Sequence, residues 1–235
     1  MYKNFKRKIL HFFYPTRCPV CDEVIYSMER FCVKCMNNLN YTEDDVCISG
    51  AESFTTAFVY DDNIRPAILL MKKGICGNAD YALGNELADR LERRGIINGI
   101  DVIIPVPMYK KDRIKRGFNQ AELIANVIGR RFNVPVSADA VVKNRKTTQQ
   151  KTLNREMRMK NLAGAYNICN HVEIAGKRVL LVDDVSTTGS TLAELTSLLL
   201  SAGASEVYCA ACCQTPEHSK NNPAKLDSVI KKVQL

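Results

Sequence analysis

With 235 residues and 46% hydrophobic content, the chain is long enough for one α/β domain plus a small extra module and can bury an ordinary core. No apolar run reaches the roughly 18 residues of a membrane span. The apolar stretch after Lys3, Lys6, Arg7 and Lys8 is short, broken by His11 and followed by no small-residue cleavage site, so the composition argues against a membrane or exported protein and for a soluble cytoplasmic one.

The net charge of +8 is uneven. Between positions 108 and 160 there are 14 basic and 4 acidic residues, which gives this stretch +10. Such a field attracts nucleic acid or pyrophosphate without choosing between them.

In chain order, residues 1–17 read as a short basic, partly apolar arm ended near Pro15, and residues 18–47 as a cysteine module. Residues 54–60 are rich in β-formers and predict a strand. A helical stretch follows Asp62, and over residues 78–94 the spacing of Leu83, Leu87 and Leu91 predicts a stronger helix. After Gly99, strands and helices alternate. An apolar strand is expected over 102–106, a helix over 120–132, and one or two short strands over 134–142. Then come a strand over 179–182, a helix from Gly189 to Ala202 stopped by Gly203, and a buried strand over 207–213. Residues 143–163 are polar, basic and aperiodic, a long loop of the kind that is usually functional or disordered. The tail beyond Pro216 carries one candidate helix over 226–233. The alternation implies a mostly parallel sheet flanked by helices, and the division expected is 1–50 for the arm and cysteine module and 51–235 for the α/β domain.

Ten cysteines fall into two groups. Cys18-Pro-Val-Cys21 and Cys32-Val-Lys-Cys35 are two C-x-x-C pairs ten residues apart, and each can form a knuckle whose thiolates face one ion. Four cysteines complete a closed tetrahedral zinc site with no position for substrate, so the module is structural. A redox C-x-x-C is the alternative, weakened because that chemistry needs a single pair in a βαβ context. Cys47 is a weaker candidate ligand. Cys209, Cys212 and Cys213 lie in an apolar strand and read as small hydrophobes.

The segment from Val179 to Leu192 carries the functional signal. Four apolar residues form a strand, and Asp183 and Asp184 arrive at its carboxyl end, where α/β sheets place their ligands. Paired carboxylates suit a vicinal ribose diol. Five of the six residues Ser186, Thr187, Thr188, Gly189, Ser190 and Thr191 carry hydroxyls, and the helix beginning there adds its positive end to a phosphate cradle. A hydrophobic run ending in Asp-Asp also suits a Walker B strand, but no G-x-x-x-x-G-K-[ST] accompanies it.

These residues resemble the PRPP (5-phosphoribosyl-1-pyrophosphate) motif of type I phosphoribosyltransferases. Asp101-Val-Ile-Ile-Pro-Val-Pro107, the Arg113-Ile-Lys-Arg-Gly-Phe-Asn-Gln-Ala121 run, Gln150 to Leu153, Arg155, Arg158, Asn161, Gly164-Ala165-Tyr166 and the double C-x-x-C module are together similar to the ComF family of amidophosphoribosyltransferase-like proteins. Tyr166 stands where that family usually has Phe. The resemblance implies a type I phosphoribosyltransferase-like sheet with an N-terminal zinc-ribbon-like module. It implies that Asp183 and Asp184, the candidate catalytic pair, hold the ribose hydroxyls with a bound Mg²⁺ nearby, that Val185 and Ser186 belong to the PRPP-binding run, and that Thr187, Thr188, Gly189, Ser190 and Thr191 cradle the 5-phosphate. The turn after Pro107, with Met108, would hold pyrophosphate, helped by Arg113, Arg116, Lys151 and Arg155, and the basic loop from Lys143 to Lys160 would close over the site.

No segment declares an acceptor pocket. The resemblance therefore supports three readings. The first is a PRPP-binding protein of natural transformation that handles incoming single-stranded DNA through Lys110, Lys111, Lys115, Arg145, Lys146 and Arg158, alongside other competence proteins such as a DNA translocase. Phe118 could stack a base, although a core or helix-start position suits it better. The second is an active phosphoribosyltransferase of nucleotide salvage. The third is a zinc-dependent interaction module whose sugar site is vestigial.

Overall fold

The protein is seen as a computed structural model that describes residues 14–42, 47–74, 78–145 and 164–216. The basic arm over 1–13, Lys146, Lys151, Arg155 and Arg158 of the long loop, and the candidate helix over 226–233 lie outside the described residues.

The centre is a parallel four-stranded sheet: β1 (Ser53–Val59), β2 (Val102–Pro105), β5 (Arg178–Ser186) and β6 (Glu206–Gln214), in the order β1-β6-β5-β2. Val179, Leu180, Leu181 and Val182 are fully buried, as expected of a strand covered on both faces. One face carries α2 (Arg65–Lys72), α3 (Ala79–Arg93) and α5 (Gln120–Phe132), whose Ile68, Leu87 and Ile124 pack against Ile103, Leu180 and Val182. The other carries α6 (Ser190–Ser201), whose Leu192, Leu195 and Leu199 pack against Val179, Leu181 and Cys209. The leucines at spacing four on α3 all face inward. Where α3 crosses α5, a Cβ on Gly84 would stand 2.8 Å from Val127 Cβ, so glycine permits the close approach. No helix among the described residues is long and apolar enough to cross a membrane.

The cysteine module docks on the edge of this sheet. Its chain forms an antiparallel bridge from Tyr41 to Phe58, and the Thr42 hydroxyl donates to the Thr56 carbonyl at 2.6 Å. Phe31 meets Phe58 edge-to-face at 6.0 Å. Arg30 reaches Glu86 at 2.9 Å and Asp89 at 2.5 Å on α3. Cys18, Cys32 and Cys35 therefore belong to the same hydrophobic cluster as Phe58 and Ile68.

Three expectations need revision. Of the one or two short strands expected over residues 134–142, one forms, β3 (Val141–Lys143), at the end of the range, with an isolated bridge at Val136 beside Ile103 before it; β3 pairs antiparallel with β4 (Tyr166–Ile168), which is absent from the expected elements. Lys110–Arg116 is helical (α4) although it buries no residue, which is why apolar periodicity gives no sign of it. Finally, β5 continues through the acid pair to Ser186, because its ladder with β6 extends to Gln214 whatever the side-chain polarity.

Candidate functional site

The four cysteines come together as their spacing predicts. The first knuckle closes with Cys18 N–H donating to Glu23 O at 2.8 Å, and Asp22 takes the left-handed conformation at φ 65°. In the second, Cys32 caps α1 (Val33–Met36), its Sγ accepting from Cys35 N–H at 3.4 Å. All four Sγ atoms lie within 4.8 Å of one another, and Cys21 and Cys32 are 3.6 Å apart. A tetrahedral zinc with Zn–S bonds of about 2.3 Å requires sulfurs about 3.8 Å apart, so the donor set fits that ion. Burial and the neighbouring thiols push the Cys35 thiol up, whereas at Cys18, against burial, the surrounding backbone N–H groups pull the thiol down. Cys47 is exposed and outside the set, and Cys209, Cys212 and Cys213 are buried in β6.

The second centre lies at the carboxyl end of β5. Asp184 N–H donates to Asp183 Oδ1 and Val185 N–H to Asp184 Oδ1, each at 2.8 Å, which fixes both carboxyls against their own backbone. The two carboxyls are near neighbours. Burial, then the charge of Asp184, raises Asp183 well above the usual carboxylate range. Such a pair gains from hydroxyl donors or a cation. Beyond it, Thr187 is exposed, the Thr188 and Ser190 hydroxyls share a 2.8 Å hydrogen bond, and Thr215 Oγ1 donates to Thr187 O at 3.0 Å. Gly189 takes φ 70° as it opens α6. An L side chain adopts that conformation at a cost of about 1–2 kcal/mol. Gly189→Ala is therefore expected to lower stability by about that amount and to weaken phosphate binding through a shifted loop; unchanged thermal unfolding and unchanged phosphate affinity would contradict this cradle.

The turn after β2 lies beside β5, because Val106 N–H donates to Val182 O at 2.8 Å. Pro107 is buried and Met108 half-buried. Asn119 anchors the turn, its Nδ2 donating to Val106 O at 3.0 Å. Arg113 is engaged by Glu122 at 2.9 Å and Asp139 at 3.9 Å, and Arg116 donates to Gln120 Oε1 at 2.7 Å. Lys110, Lys111 and Lys115 are exposed along α4, and Arg145 is exposed at the end of the described hairpin. Phe118 is half-buried with its ring over Gly74, a packing position rather than a free stacking platform.

Four further residues lie around the acid pair and the cavity beside it. Lys72, in the last turn of α2, approaches Asp184 Oδ2 at 3.3 Å. Lys143 of β3 faces Asp183, and its Nζ lies 5.3 Å from the centre of the Tyr166 ring. Tyr166 of β4 is 4% exposed, with its hydroxyl in the interior facing Asp183 and Glu194. Glu194 of α6 is pushed up to about 7 by burial, against the pull of Lys143 and Arg145. Tyr166 and Glu194 line a cavity of about 740 Å³ that reaches Thr188, Gly189 and Ser190. Lys143, as the start of the basic loop, and Tyr166, in the Gly164-Ala165-Tyr166 triplet, carry a sequence-level signal; Lys72 and Glu194 are brought in by tertiary packing.

A parallel sheet covered by helices, with an acid pair and a hydroxyl-rich loop at a helix N-terminus, defines a type I phosphoribosyltransferase-like domain with a four-cysteine ribbon in front. Comparison with known proteins agrees. The phosphoribosyl transferase domain family matches residues 84–234, and the double zinc ribbon domain matches residues 9–78. The chain is 27% identical to the "DNA utilization protein YhgH" of Escherichia coli O157:H7 over 213 residues, covering 84% of this chain and 90% of that one. It is 30% identical to the "Competence protein F" of Haemophilus influenzae over 200 residues, covering 81% and 86%. Among solved structures, the glutamine PRPP amidotransferase of B. subtilis is 23% identical with a TM-score of 0.40, over 57% of this chain and 26% of that one. The chain belongs to the ComF family of phosphoribosyltransferase-domain proteins, and its four-cysteine ribbon supports a structural Zn²⁺.

Proposed function

We propose that this protein binds PRPP with Mg²⁺ at the end of β5 and acts in the cytoplasm in natural transformation, handling incoming single-stranded DNA together with other competence proteins such as a DNA translocase. The observation that carries the sugar-phosphate half is the Asp183–Asp184 pair leading without interruption into the Thr187–Thr191 cradle and the N-terminus of α6. The pair offers acceptors to the ribose hydroxyls, and the loop and helix dipole receive the 5-phosphate. Pyrophosphate would lie toward the Pro107–Met108 turn, which hydrogen-bonds β5 directly through Val106. The names carried by the relatives support the DNA half, as do the exposed Lys110, Lys111 and Lys115 on α4, next to that turn.

A phosphate-driven DNA mode makes affinity for an oligothymidylate fall steeply with salt. For single strands the logarithmic slope changes by about 0.7 per phosphate contact. Replacing Lys110, Lys111 and Lys115 by Gln is expected to flatten the slope by up to about 2 and weaken binding across sequences alike. A salt-independent affinity would remove the DNA half of the proposal. One observation favours a second reading, an active phosphoribosyltransferase: the cavity beside the phosphate loop gives room for an acceptor. Pyrophosphate release from PRPP on addition of an amine or nucleobase tests it.

A further inference from the structure

We propose that Lys72 is a positioning residue of the sugar site: from the end of α2 its ammonium holds the Asp184 carboxylate in place, so that the acid pair accepts the ribose hydroxyls. The inference deepens the PRPP reading and rests on it. It adds a residue about 110 positions away in sequence, outside the strand and loop that carry the site's motif.

The geometry is specific. Lys72 Nζ lies 3.3 Å from Asp184 Oδ2, and the two side chains are 38% and 18% exposed, so the pair is partly shielded from water. Two adjacent, largely enclosed carboxylates repel each other, and one of them takes up a proton unless a positive group intervenes. Lys72 is such a group, and its charge acts on Asp183 as well as on Asp184. The rest of the surroundings divides in sign. Asp184 is faced by Asp183 from its own strand and by the buried thiols of Cys212 and Cys213 from β6. Asp183 is faced by Lys143 from β3, by Tyr166 from β4 and by Cys209 from β6. Lys143 is itself drawn on by Glu194 and Asp112, and burial lowers its own basicity. Lys72 is therefore the ammonium in ion-pair contact with the acid pair among the described residues.

The rigidity of α2 makes the contact a built one. Ile64, Ala67, Ile68 and Met71 are buried against the sheet and α3, and Pro66 stands in the first turn of the helix. The last turn is fixed by these anchors, so Lys72 approaches from a set direction. The backbone N–H of Val185 takes Asp184 Oδ1 and the ammonium approaches Oδ2, so the carboxyl is held from two sides.

The test uses the full-length, zinc-loaded chain as wild type, Lys72→Met and Lys72→Arg. Carboxyl-carbon NMR follows the titration of Asp183 and Asp184 without ligand, and calorimetry measures PRPP binding with Mg²⁺ across pH. Lys72→Met is expected to move the Asp183 titration further up and to weaken PRPP binding about tenfold near neutrality, with the acid-side loss of binding beginning at a higher pH. Lys72→Arg, which restores the charge, is expected to recover most of both. Zinc content and thermal unfolding report that each variant is folded. An Asp183 titration unmoved in Lys72→Met overturns the positioning role whether or not PRPP binds. A moved titration in a protein whose wild type ignores PRPP overturns the PRPP reading instead, and with it the purpose assigned to Lys72.

Discussion

Replacing both Asp183 and Asp184 by alanine is expected to weaken PRPP binding by about two to four orders of magnitude while leaving zinc content unchanged. A hydrogen bond to a charged group contributes about 1.5–3 kcal/mol, and the double change removes both carboxylate acceptors, hence about 3–6 kcal/mol. Folding is not expected to suffer. The pair is a site of like-charge repulsion, with Asp183 raised by burial and by Asp184, so removing both charges relieves strain on the native state. The linkage has a definite sign. A carboxyl whose native pKa lies above its unfolded value loses native stability as pH rises from the unfolded pKa toward the native one. The double variant is therefore expected to gain stability relative to wild type near neutrality and to lose that advantage in acid. Calorimetry with PRPP and Mg²⁺, paired with thermal unfolding at two pH values, separates the two effects. Retained affinity in a folded variant would sink the assignment of the ribose site to these acids.

The second large effect belongs to the ribbon. Metal analysis of the purified chain is expected to give about one zinc per molecule. Cys18→Ser is expected to destabilise the protein by about 3–5 kcal/mol, a large share of the 5–15 kcal/mol of a typical domain. The thermal midpoint should drop by roughly 10 °C or more. Cys18 is 1% exposed, and its loss leaves three thiols around a metal site with an incomplete tetrahedron. The consequence is not confined to the ribbon. Cys18, Cys32 and Cys35 share a hydrophobic cluster with Phe58 on β1 and Ile68 on α2, and Arg30 ties the ribbon to Glu86 and Asp89 on α3. Unfolding followed by probes in the two regions is therefore expected to be a single transition that shifts with chelator. A metal-free wild type of unchanged stability would end the zinc assignment.

The parts of this protein that sequence reveals are those whose structure is local. The strand, acid pair, hydroxyl loop and helix from Arg178 to Ser201 are contiguous, and each step carries its own signal: apolar run, carboxylates, small residues, Gly189. The two C-x-x-C pairs are likewise read from spacing, and Leu83, Leu87 and Leu91 announce the buried face of α3. Features assembled from distant segments leave little local trace. Lys72 meets Asp184 only once α2 is packed beside β5, and nothing in its own neighbourhood marks it. The β3–β4 pair joins two three-residue strands on either side of a long polar stretch; β3 falls at the edge of an expected short strand, but β4 is too short for alternation to declare it. The α4 helix buries none of its residues, so periodicity cannot find it, and the same exposure leaves its lysines facing solvent. Tyr166 replaces the Phe usual in the family; its hydroxyl is buried and faces Glu194 and Asp183, a polar corner that an aromatic-for-aromatic exchange conceals in sequence.

The most direct test of the central claim is a calorimetric titration of PRPP with Mg²⁺ into the zinc-loaded, full-length protein. Saturable binding of one PRPP per chain, competed by ribose 5-phosphate and inorganic pyrophosphate together, is the expected result. No heat of binding with ligand on the order of 1 mM, equivalent to an affinity weaker than about −4 kcal/mol, would contradict a PRPP site at the end of β5.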